Sequence, residues 1–187
     1  MSHMRQSSKT QHEILNAAFE VFGRNASAPL SDVAHAAGVG RATLHRYFAG
    51  RDDLMAALAK AAMADLNAAV DAALHGAESY LDGLRRAMAA SIPLANRQLF
   101  LAQEAVDRDP EVAAAYAAST AELLDAIGQA KAEGSLPGAV PTAWVARVYD
   151  GLVYAAWEAV MAQELTPTQA TDLAWATFLN GMKGATP

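Results

Sequence analysis

The sequence predicts an all-α protein of about nine helices, and three observations lead to that prediction. Hydrophobic residues make up 53% of the 187 residues while aromatic residues make up only 7%, so much of the apolar content is alanine, a strong helix former. No stretch of useful length alternates apolar and polar residues as a half-buried strand does. Glycine, proline and capping residues divide the chain into segments of helical length.

The composition excludes every kind of site that needs cysteine, and it favours a cytoplasmic location. The chain has no cysteine, so a disulfide framework, a zinc-cysteine site and a catalytic thiol are impossible. No apolar signal segment opens the sequence, and no uninterrupted run approaches the roughly 18 apolar residues of a membrane helix. We therefore expect a cytoplasmic protein without a membrane partner. Residues 1–4, MSHM, look like a cloning remnant.

The first predicted helix follows a polar segment, residues 5–12, which we expect to form a mobile arm. This helix should run from Thr10 to Gly23, with Ile14, Ala18 and Phe22 along one face. That apolar face is expected to pack against the helices that follow.

Two short helices joined by a tight turn are predicted between residues 29 and 54, followed by the start of a third. Gly38 permits the positive φ that ends the first of them. The second runs from Arg41 to Phe48, with Leu44 and Phe48 facing inward. Its outward residues are Arg41, Ala42, Thr43, His45, Arg46 and Tyr47. A short helix with such a basic, hydroxylic and aromatic face suits a nucleic-acid groove.

Charge is distributed unevenly along the chain. The formal net charge is −6, but residues 1–60 hold seven basic and five acidic residues and so carry +2. The remainder holds seven basic and fifteen acidic residues and carries −8. This asymmetry indicates an end that faces nucleic acid and a solvated end that does not.

The remainder of the chain predicts longer helices. One begins after Gly50, with Asp52 and Asp53 in its first turn, where acidic residues favour the helix dipole, and reaches about Leu74. Glycine and proline breaks then separate further helices. Their expected spans are 78–91, 94–106, 109–134, 141–163 and 166–182.

A set of residues at fixed spacing carries a family resemblance. The set is Asp32-Val33-Ala34, Ala37-Gly38-Val39, Thr43-Leu44, Phe48, Arg51 and Leu54, preceded by the helix Ile14 to Phe22. Over roughly residues 10–58 the chain resembles the TetR family of bacterial transcription regulators. It departs from the usual residues of that family at Gly40, His45, Tyr47 and Arg51, where Ser, Tyr, His and Lys are usual.

This resemblance implies a helix-turn-helix DNA-binding domain over residues 8–54 and a helical ligand-binding and dimerisation domain over residues 55–187. It implies a repressor that binds a palindromic operator in double-stranded DNA as a homodimer. A small-molecule effector in the C-terminal domain would change the spacing of the two reading heads; no cofactor is implied. The alternative is a ligand-binding or protein-interaction module whose helix-turn-helix does not bind DNA, which the modest charge of +2 and Gly40 support.

Eight residues are expected to contact DNA: Lys9, Arg41, Ala42, Thr43, His45, Arg46, Tyr47 and Arg51. Arg41 would read a guanine edge or a phosphate, and Arg46 a phosphate, unless both are solvated surface residues. Thr43, His45 and Tyr47 would contact phosphate or a thymine methyl; otherwise Thr43 only fills the helix and Tyr47 packs on the first helix.

The other two expected DNA contacts lie outside the second short helix. Arg51 at a helix N-terminus would form a phosphate site together with free backbone N–H groups, or would pair with Glu13 or Glu20. Lys9 in the polar arm would reach a phosphate.

The effector is expected to be apolar or aromatic, in a pocket walled by Phe100, Tyr116, Tyr154 and Trp157, although residues at such spacing are also typical of an ordinary core. Polar anchors are available nearby in sequence: Arg97, Gln98, Gln103, Glu104, Ser119 and Glu158.

The last two helices are more apolar than one core face requires, which favours a two-fold dimer interface, unless they only cover the ligand domain. The five histidines have no metal-ligand spacing and no GxSxG motif occurs. We therefore expect neither an enzyme nor a metal site.

Overall fold

The fold is all-α, as the sequence predicts. The computed structural model describes residues 2–98 and 109–183, and within these ranges it contains eight α-helices, a short 3₁₀ turn and no strand. The helices are α1 (Ser2–Arg24), α2 (Leu30–Ala36), α3 (Arg41–Tyr47), α4 (Arg51–Leu74), α5 (Tyr80–Ser91), α6 (Pro110–Ala132), α7 (Thr142–Met161) and α8 (Pro167–Met182), and the 3₁₀ turn is Ile92–Leu94. The helix predicted over 94–106 lies mostly outside the described residues.

The first helix begins earlier than the sequence predicts. α1 starts at Ser2, so the polar residues 5–12 are helical and the expectation of a mobile arm is wrong. No glycine or proline interrupts residues 2–22, and polar side chains are tolerated on the solvated face of a helix. The helix ends at Arg24, one residue beyond the predicted end at Gly23, which lies within the helix.

A compact core fixes the two short helices. Ile14, Phe19 and Phe22 of α1 are buried, and so are Leu44 of α3 and Phe48, which directly follows α3. Burying a side chain of this size stabilises the fold by about 1.5–3 kcal/mol. The predicted inward face of α1 and the predicted anchors of α3 are thus confirmed.

The turn between α2 and α3 has the conformation that its glycine allows. Gly38 has φ +68°, and the N–H of Val39 donates to the carbonyl of Ala34 at 2.9 Å. This bond closes α2 in the way typical of a helix that ends at a left-handed glycine. The chain is thereby redirected into α3 with its apolar residues still facing the core.

The chain divides into two compact units. One comprises Met1–Met63 and Asn96–Val112, and the other comprises Ala64–Ala95 and Ala113–Pro187, so that α4 contributes to both. A functional division between residues 54 and 55 stays a prediction.

Within the second unit, α7 and α8 pack closely around Phe178. Its ring lies edge-on to Tyr149 at 5.7 Å and stacked with Trp175 at 5.4 Å. α8 starts with a capping box, in which the Thr166 hydroxyl accepts from the Gln169 N–H and the Gln169 side chain accepts from the Thr166 N–H.

Candidate functional site

One face of α3 is exposed to solvent, because the opposite face is buried against the core. Leu44 is 1% exposed and Phe48 is 2% exposed, so both residues hold α3 against the core. Among the other residues of α3, Arg41, Ala42, His45 and Arg46 are exposed, while Thr43 and Tyr47 are half-buried. Six of the eight residues expected to contact DNA therefore share one seven-residue helix.

Arg41 stands at the start of this face. Within the described part of the chain its side chain makes no hydrogen bond or ion pair. It borders a small surface concavity of about 230 Å³ between the beginning of α2 and α3, together with Pro29, Leu30, Ser31, Leu44 and His45. The guanidinium is thus available for a ligand outside the protein.

Arg46 and Tyr47 are arranged as a pair. The Arg46 guanidinium lies 5.2 Å from the centre of the Tyr47 ring, a distance at which a cation is attracted to the ring face. This contact limits the directions in which Arg46 extends, while its charge remains at the surface. It presents a positive charge beside an aromatic ring at the C-terminal end of α3.

Arg51 has a structural role that the sequence did not indicate. Its Nη1 donates to the carbonyl of Ala28 at 2.8 Å, and its Nη2 donates to the carbonyl of Ala26. The guanidinium also lies over the Phe22 ring, 4.5 Å from its centre. These partners differ from the expected alternative, Glu13 or Glu20. The Arg51 side chain thus holds the loop between α1 and α2 in place, and Arg51 is also the first residue of α4.

Lys9 lies on α1 rather than in an arm. Its side chain is 77% exposed, and its Nζ lies 3.8 Å from a carboxylate oxygen of Glu13, one turn along the helix. An exposed pair of this kind contributes little to stability. The ammonium group therefore exchanges partners readily.

Contacts that sequence reasoning missed lie within the first unit, where residues 97 and 98 meet α1 and α4. Arg97 donates to the Asn16 side chain at 2.9 Å, and the Gln98 side chain donates to the carbonyl of Ala62 at 2.9 Å. Arg97 also lies 5.1 Å from the centre of the Phe19 ring. Neither residue is therefore a polar anchor of the cavity in the second unit. Sequence reasoning missed these contacts because no local pattern predicts bonds between residues so far apart in sequence.

An ion-pair cluster ties α4 to the start of α6. The Lys60 ammonium lies 2.6 Å from Glu111 and 3.3 Å from Asp109. Hydrogen bonds to Glu111 and to Asp109 raise the pKa of Lys60. Asp109 also accepts from the Glu111 N–H at 2.9 Å, so it caps the N-terminus of α6.

The second unit contains a cavity of about 890 Å³, open to solvent, between the latter half of α4, α5, α6 and α7. Its floor is formed by buried or half-buried residues, namely Leu66, Val70, Gly83, Leu84, Ser91, Leu123, Tyr149, Val153 and Trp157. Two donors in this floor are already satisfied: the Tyr149 hydroxyl donates to the Leu84 carbonyl at 2.8 Å, and the Trp157 indole donates to the Ser91 carbonyl at 3.1 Å. The floor therefore presents an apolar and aromatic surface of a size that suits a small organic molecule.

The rim of this cavity is acidic. Its charged residues are Asp71, Glu78, Glu122, Asp125, Glu133 and Asp150, all exposed. No lysine, arginine or histidine of the described residues lines it. Although Asp150 is exposed as a whole residue, partial removal of its carboxyl from water raises the pKa of that carboxyl, because desolvation disfavours the charged form. Burial also raises the pKa of Tyr149, with the neighbouring Asp150 carboxylate adding to the effect.

The four residues expected to form a pocket wall are placed differently from one another. Trp157 lines the cavity, whereas Tyr116 is 57% exposed and Tyr154 is half-buried, and neither lies on the cavity wall. Phe100 lies outside the described residues. Helical spacing identifies aromatic residues on inward faces, but it does not say which neighbouring helix covers each of them.

Among the polar anchors considered, Ser119 lines the cavity and Glu158 does not, while Gln103 and Glu104 fall outside the described residues. Ser119 has its hydroxyl 3.2 Å from the Ala115 carbonyl and 3.4 Å from the Asn67 side chain, which also lines the cavity. The wall thus carries a few neutral polar groups besides its carboxylates.

In the described part of the chain, none of the helices has both the length and the apolar character needed to cross a membrane.

Comparison with known proteins gives consistent matches. The family model described as bacterial regulatory proteins, tetR family, matches residues 14–58. The HTH-type transcriptional repressor LfrR of Mycolicibacterium smegmatis (strain ATCC 700084 / mc(2)155) is 34% identical over 152 residues, which are 81% of this chain and 79% of that protein.

Solved structures agree with the sequence matches. The TetR-like transcriptional regulator LfrR from Mycobacterium smegmatis, in complex with proflavine, has a TM-score of 0.79 at 31% identity, covering 95% of this chain and 97% of that one. The MbdR regulator from Azoarcus sp. CIB has a TM-score of 0.75 at 19% identity, covering 92% and 98%, and shows the likeness of fold.

Proposed function

This chain belongs to the tetR family of bacterial regulatory proteins and is a transcriptional regulator, and from that premise we propose that it is a repressor released from DNA by a small molecule. In this proposal a homodimer binds a palindromic operator through α3 of each protomer. An effector bound in the cavity of the second unit lowers the affinity for the operator.

The observation that carries the DNA-binding proposal is the free face of α3. Arg41 has no internal partner among the described residues, Arg46 keeps its charge at the surface, and His45 is exposed beside them. Leu44 and Phe48 fix the orientation of the helix. A rigid helix with such a face suits the major groove, where arginine reads guanine and hydroxyl or aromatic groups contact phosphate.

The dimer proposal rests on α7 and α8. An exposed or half-buried stripe on α7 contains Trp144, Val148, Gly151 and Ala155, and α8 adds Leu173, which is 59% exposed. Small residues allow helices to approach closely, and the large apolar ones would leave water on association. A two-fold interface would bury this stripe against its own copy.

The effector proposal rests on the cavity and on one relative. LfrR has been solved in complex with proflavine, and this chain is similar to it along nearly its whole length. The cavity of about 890 Å³ includes the aromatic residues Trp157 and Tyr149. We place the effector there rather than against Tyr116 or Tyr154, which lie off the cavity wall.

Selection of bound duplexes from a random DNA pool tests the repressor proposal. We expect an enriched sequence with two inverted half-sites, because a two-fold dimer presents two copies of α3. Enrichment of a single half-site would contradict the dimer. Recovery of no enriched sequence by the full-length chain would contradict DNA recognition and favour a ligand-binding module whose helix-turn-helix does not bind DNA.

A further inference from the structure

We propose that the side chain of Leu74 is a gate at one end of the cavity in the second unit, and that it limits the size of the molecules that enter. The inference rests on the proposed function in one respect, since it takes this cavity as the effector site. It adds a residue that selects among effectors by their size.

Two large apolar side chains are exposed at the same end of this cavity. Within the described residues six large hydrophobic side chains are exposed, and among these six only Leu74 and Tyr80 line the cavity. Leu74 is 42% exposed at the last position of α4, and Tyr80 is 45% exposed at the first position of α5. Exposed apolar side chains grouped at a cavity mark places where ligands are contacted. This exposure points to an entrance at the end of the cavity where α4 leads into α5.

At this end Leu74 is seated over a glycine. A methyl group on Gly83 would lie 3.3 Å from Cδ2 of Leu74 and 4.0 Å from Cβ of Ala77, so the leucine side chain occupies the space that a larger residue at position 83 would need. Gly83 is buried and lines the cavity. The Leu74 side chain therefore lies across a stretch of backbone that forms the cavity wall.

The cavity continues inward from this contact. Gly83, Ala87 and Ser91 follow one another at four-residue intervals on α5, and all three line the cavity, over a distance of about 12 Å along the helix. On α4 the lining residues begin at Leu66 and end at Leu74. A molecule that passes Leu74 therefore reaches the apolar floor.

The backbone around Leu74 is fixed, so its side chain is the part that moves. The Arg86 side chain donates to the His75 carbonyl at 3.1 Å, which ties the connection between α4 and α5 to α5. The Tyr80 N–H donates to the Glu133 carboxylate at 3.2 Å. A leucine side chain changes rotamer without moving the backbone. The width of this entrance is therefore set by the Leu74 side chain rather than by movement of a loop.

Thiol labelling measures entry into the cavity without an effector and without DNA. The chain has no cysteine, so Ala87→Cys places a single thiol on the cavity wall one turn beyond Gly83. Methyl and benzyl methanethiosulfonate carry the same reactive group and no charge, and they differ in size. Mass spectrometry gives the ratio of benzyl to methyl labelling rates. We expect this ratio to be about tenfold lower at Ala87→Cys than at Ala117→Cys, an exposed position on α6 outside the cavity lining.

Variants at the gate should change the ratio measured at Ala87→Cys. Leu74→Ala should raise it by about tenfold with little change in the methyl rate, because the leucine holds back only the larger reagent. Gly83→Ala should raise it by a smaller factor, since the added methyl displaces Leu74, and should have no effect in the Leu74→Ala background. Met161→Ala truncates an exposed apolar side chain of α7 outside the cavity and should leave the ratio unchanged.

Equal ratios at Ala87→Cys and Ala117→Cys would overturn the inference, as would an unchanged ratio in Leu74→Ala. An equal increase of both rates would also overturn it, because the cavity would then have loosened as a whole. So would a Gly83→Ala effect that persists without Leu74, or a rise in Met161→Ala. The effector site is tested separately: a molecule that releases operator DNA without protecting the Ala87→Cys thiol from labelling would contradict the effector site and not the gate.

Discussion

The guanidinium of Arg51 donates to the carbonyl of Ala28, 23 residues earlier in the chain, at 2.8 Å. Because Arg51 begins α4 and Ala28 lies in the loop before α2, this bond holds the helix-turn-helix to the helix that follows it. We expect Arg51→Ala to destabilise the first unit by about 1–3 kcal/mol, since alanine can neither donate these charged hydrogen bonds nor cover the Phe22 ring. Chemical unfolding monitored by circular dichroism measures this.

Arg51→Lys is the informative control for that change. Lysine keeps the charge but cannot reach two carbonyls with a planar fork, so we expect an intermediate loss of stability. If Arg51→Lys and wild type unfolded at the same denaturant concentration, charge alone would account for the effect and the loop-securing role would be wrong.

Arg41 and Arg46 should affect DNA binding in different ways. Arg41→Ala is expected to relax sequence preference, because Arg41 has no internal partner among the described residues and stands where a base edge is reached. Arg46→Ala should weaken binding to all duplexes alike. It should also make the slope of log K against log salt concentration shallower by about 0.9 for each phosphate that is no longer neutralised. Repeating the pool selection with each variant distinguishes them. Arg147→Ala, an exposed arginine of α7, should change neither property.

Leu173 tests the dimer interface. It is 59% exposed on α8, and Leu173→Glu would bring two like charges together across a two-fold axis, which disfavours association. We expect this variant to be monomeric by light scattering at concentrations where wild type is dimeric. Tyr116→Glu alters a side chain of similar exposure on α6 and should remain dimeric. The interface is misplaced if the two variants behave alike.

Asp150→Asn should raise thermal stability at neutral pH. The raised pKa of Asp150 means that the folded protein binds this proton more tightly than the unfolded chain. The ionised carboxylate therefore lowers stability once pH rises through the folded-state pKa, and has no such effect below the unfolded-state value. We expect a higher Tm for the variant at pH 7.5 and a shrinking difference towards pH 4, measured by calorimetry.

Asp172→Asn is the reference for that measurement, because its carboxylate is solvated on α8. The Tm of Asp172→Asn should equal the Tm of wild type at each pH in the same range. A Tm for Asp150→Asn that falls below wild type at pH 7.5 would show that the carboxylate stabilises the empty cavity, contrary to the direction of its pKa.

The helix-turn-helix was predictable from sequence because its signals are local. Leu44 and Phe48 are one turn apart and both are buried, and Gly38 occupies the left-handed conformation that closes α2. Periodicity and glycine chemistry report such features over a few residues. The same reasoning placed the basic face of α3 outward without any knowledge of its neighbours.

The cavity, and contacts between residues far apart in sequence, were not predictable in the same way. Arg97 and Asn16 are 81 residues apart when they meet, and Trp157 faces the cavity while Tyr154, on the same helix, does not. Which residues meet, and which side chains line the cavity, depends on which neighbouring helix covers each face of a helix. The acidic rim is likewise assembled from residues of several elements, and each looks like an ordinary solvated acid in its own segment.

DNA reading by α3 is tested most directly by measuring how the selected palindromic duplex binds wild type and the double variant Arg41→Ala with Thr43→Ala at several salt concentrations. We expect steep salt dependence for wild type, with a slope of about −0.9 per phosphate neutralised. We also expect the double variant to bind more weakly by about 1–3 kcal/mol for each reading head. Salt-insensitive binding by wild type, or unchanged affinity in a folded double variant, would contradict the claim that α3 reads DNA.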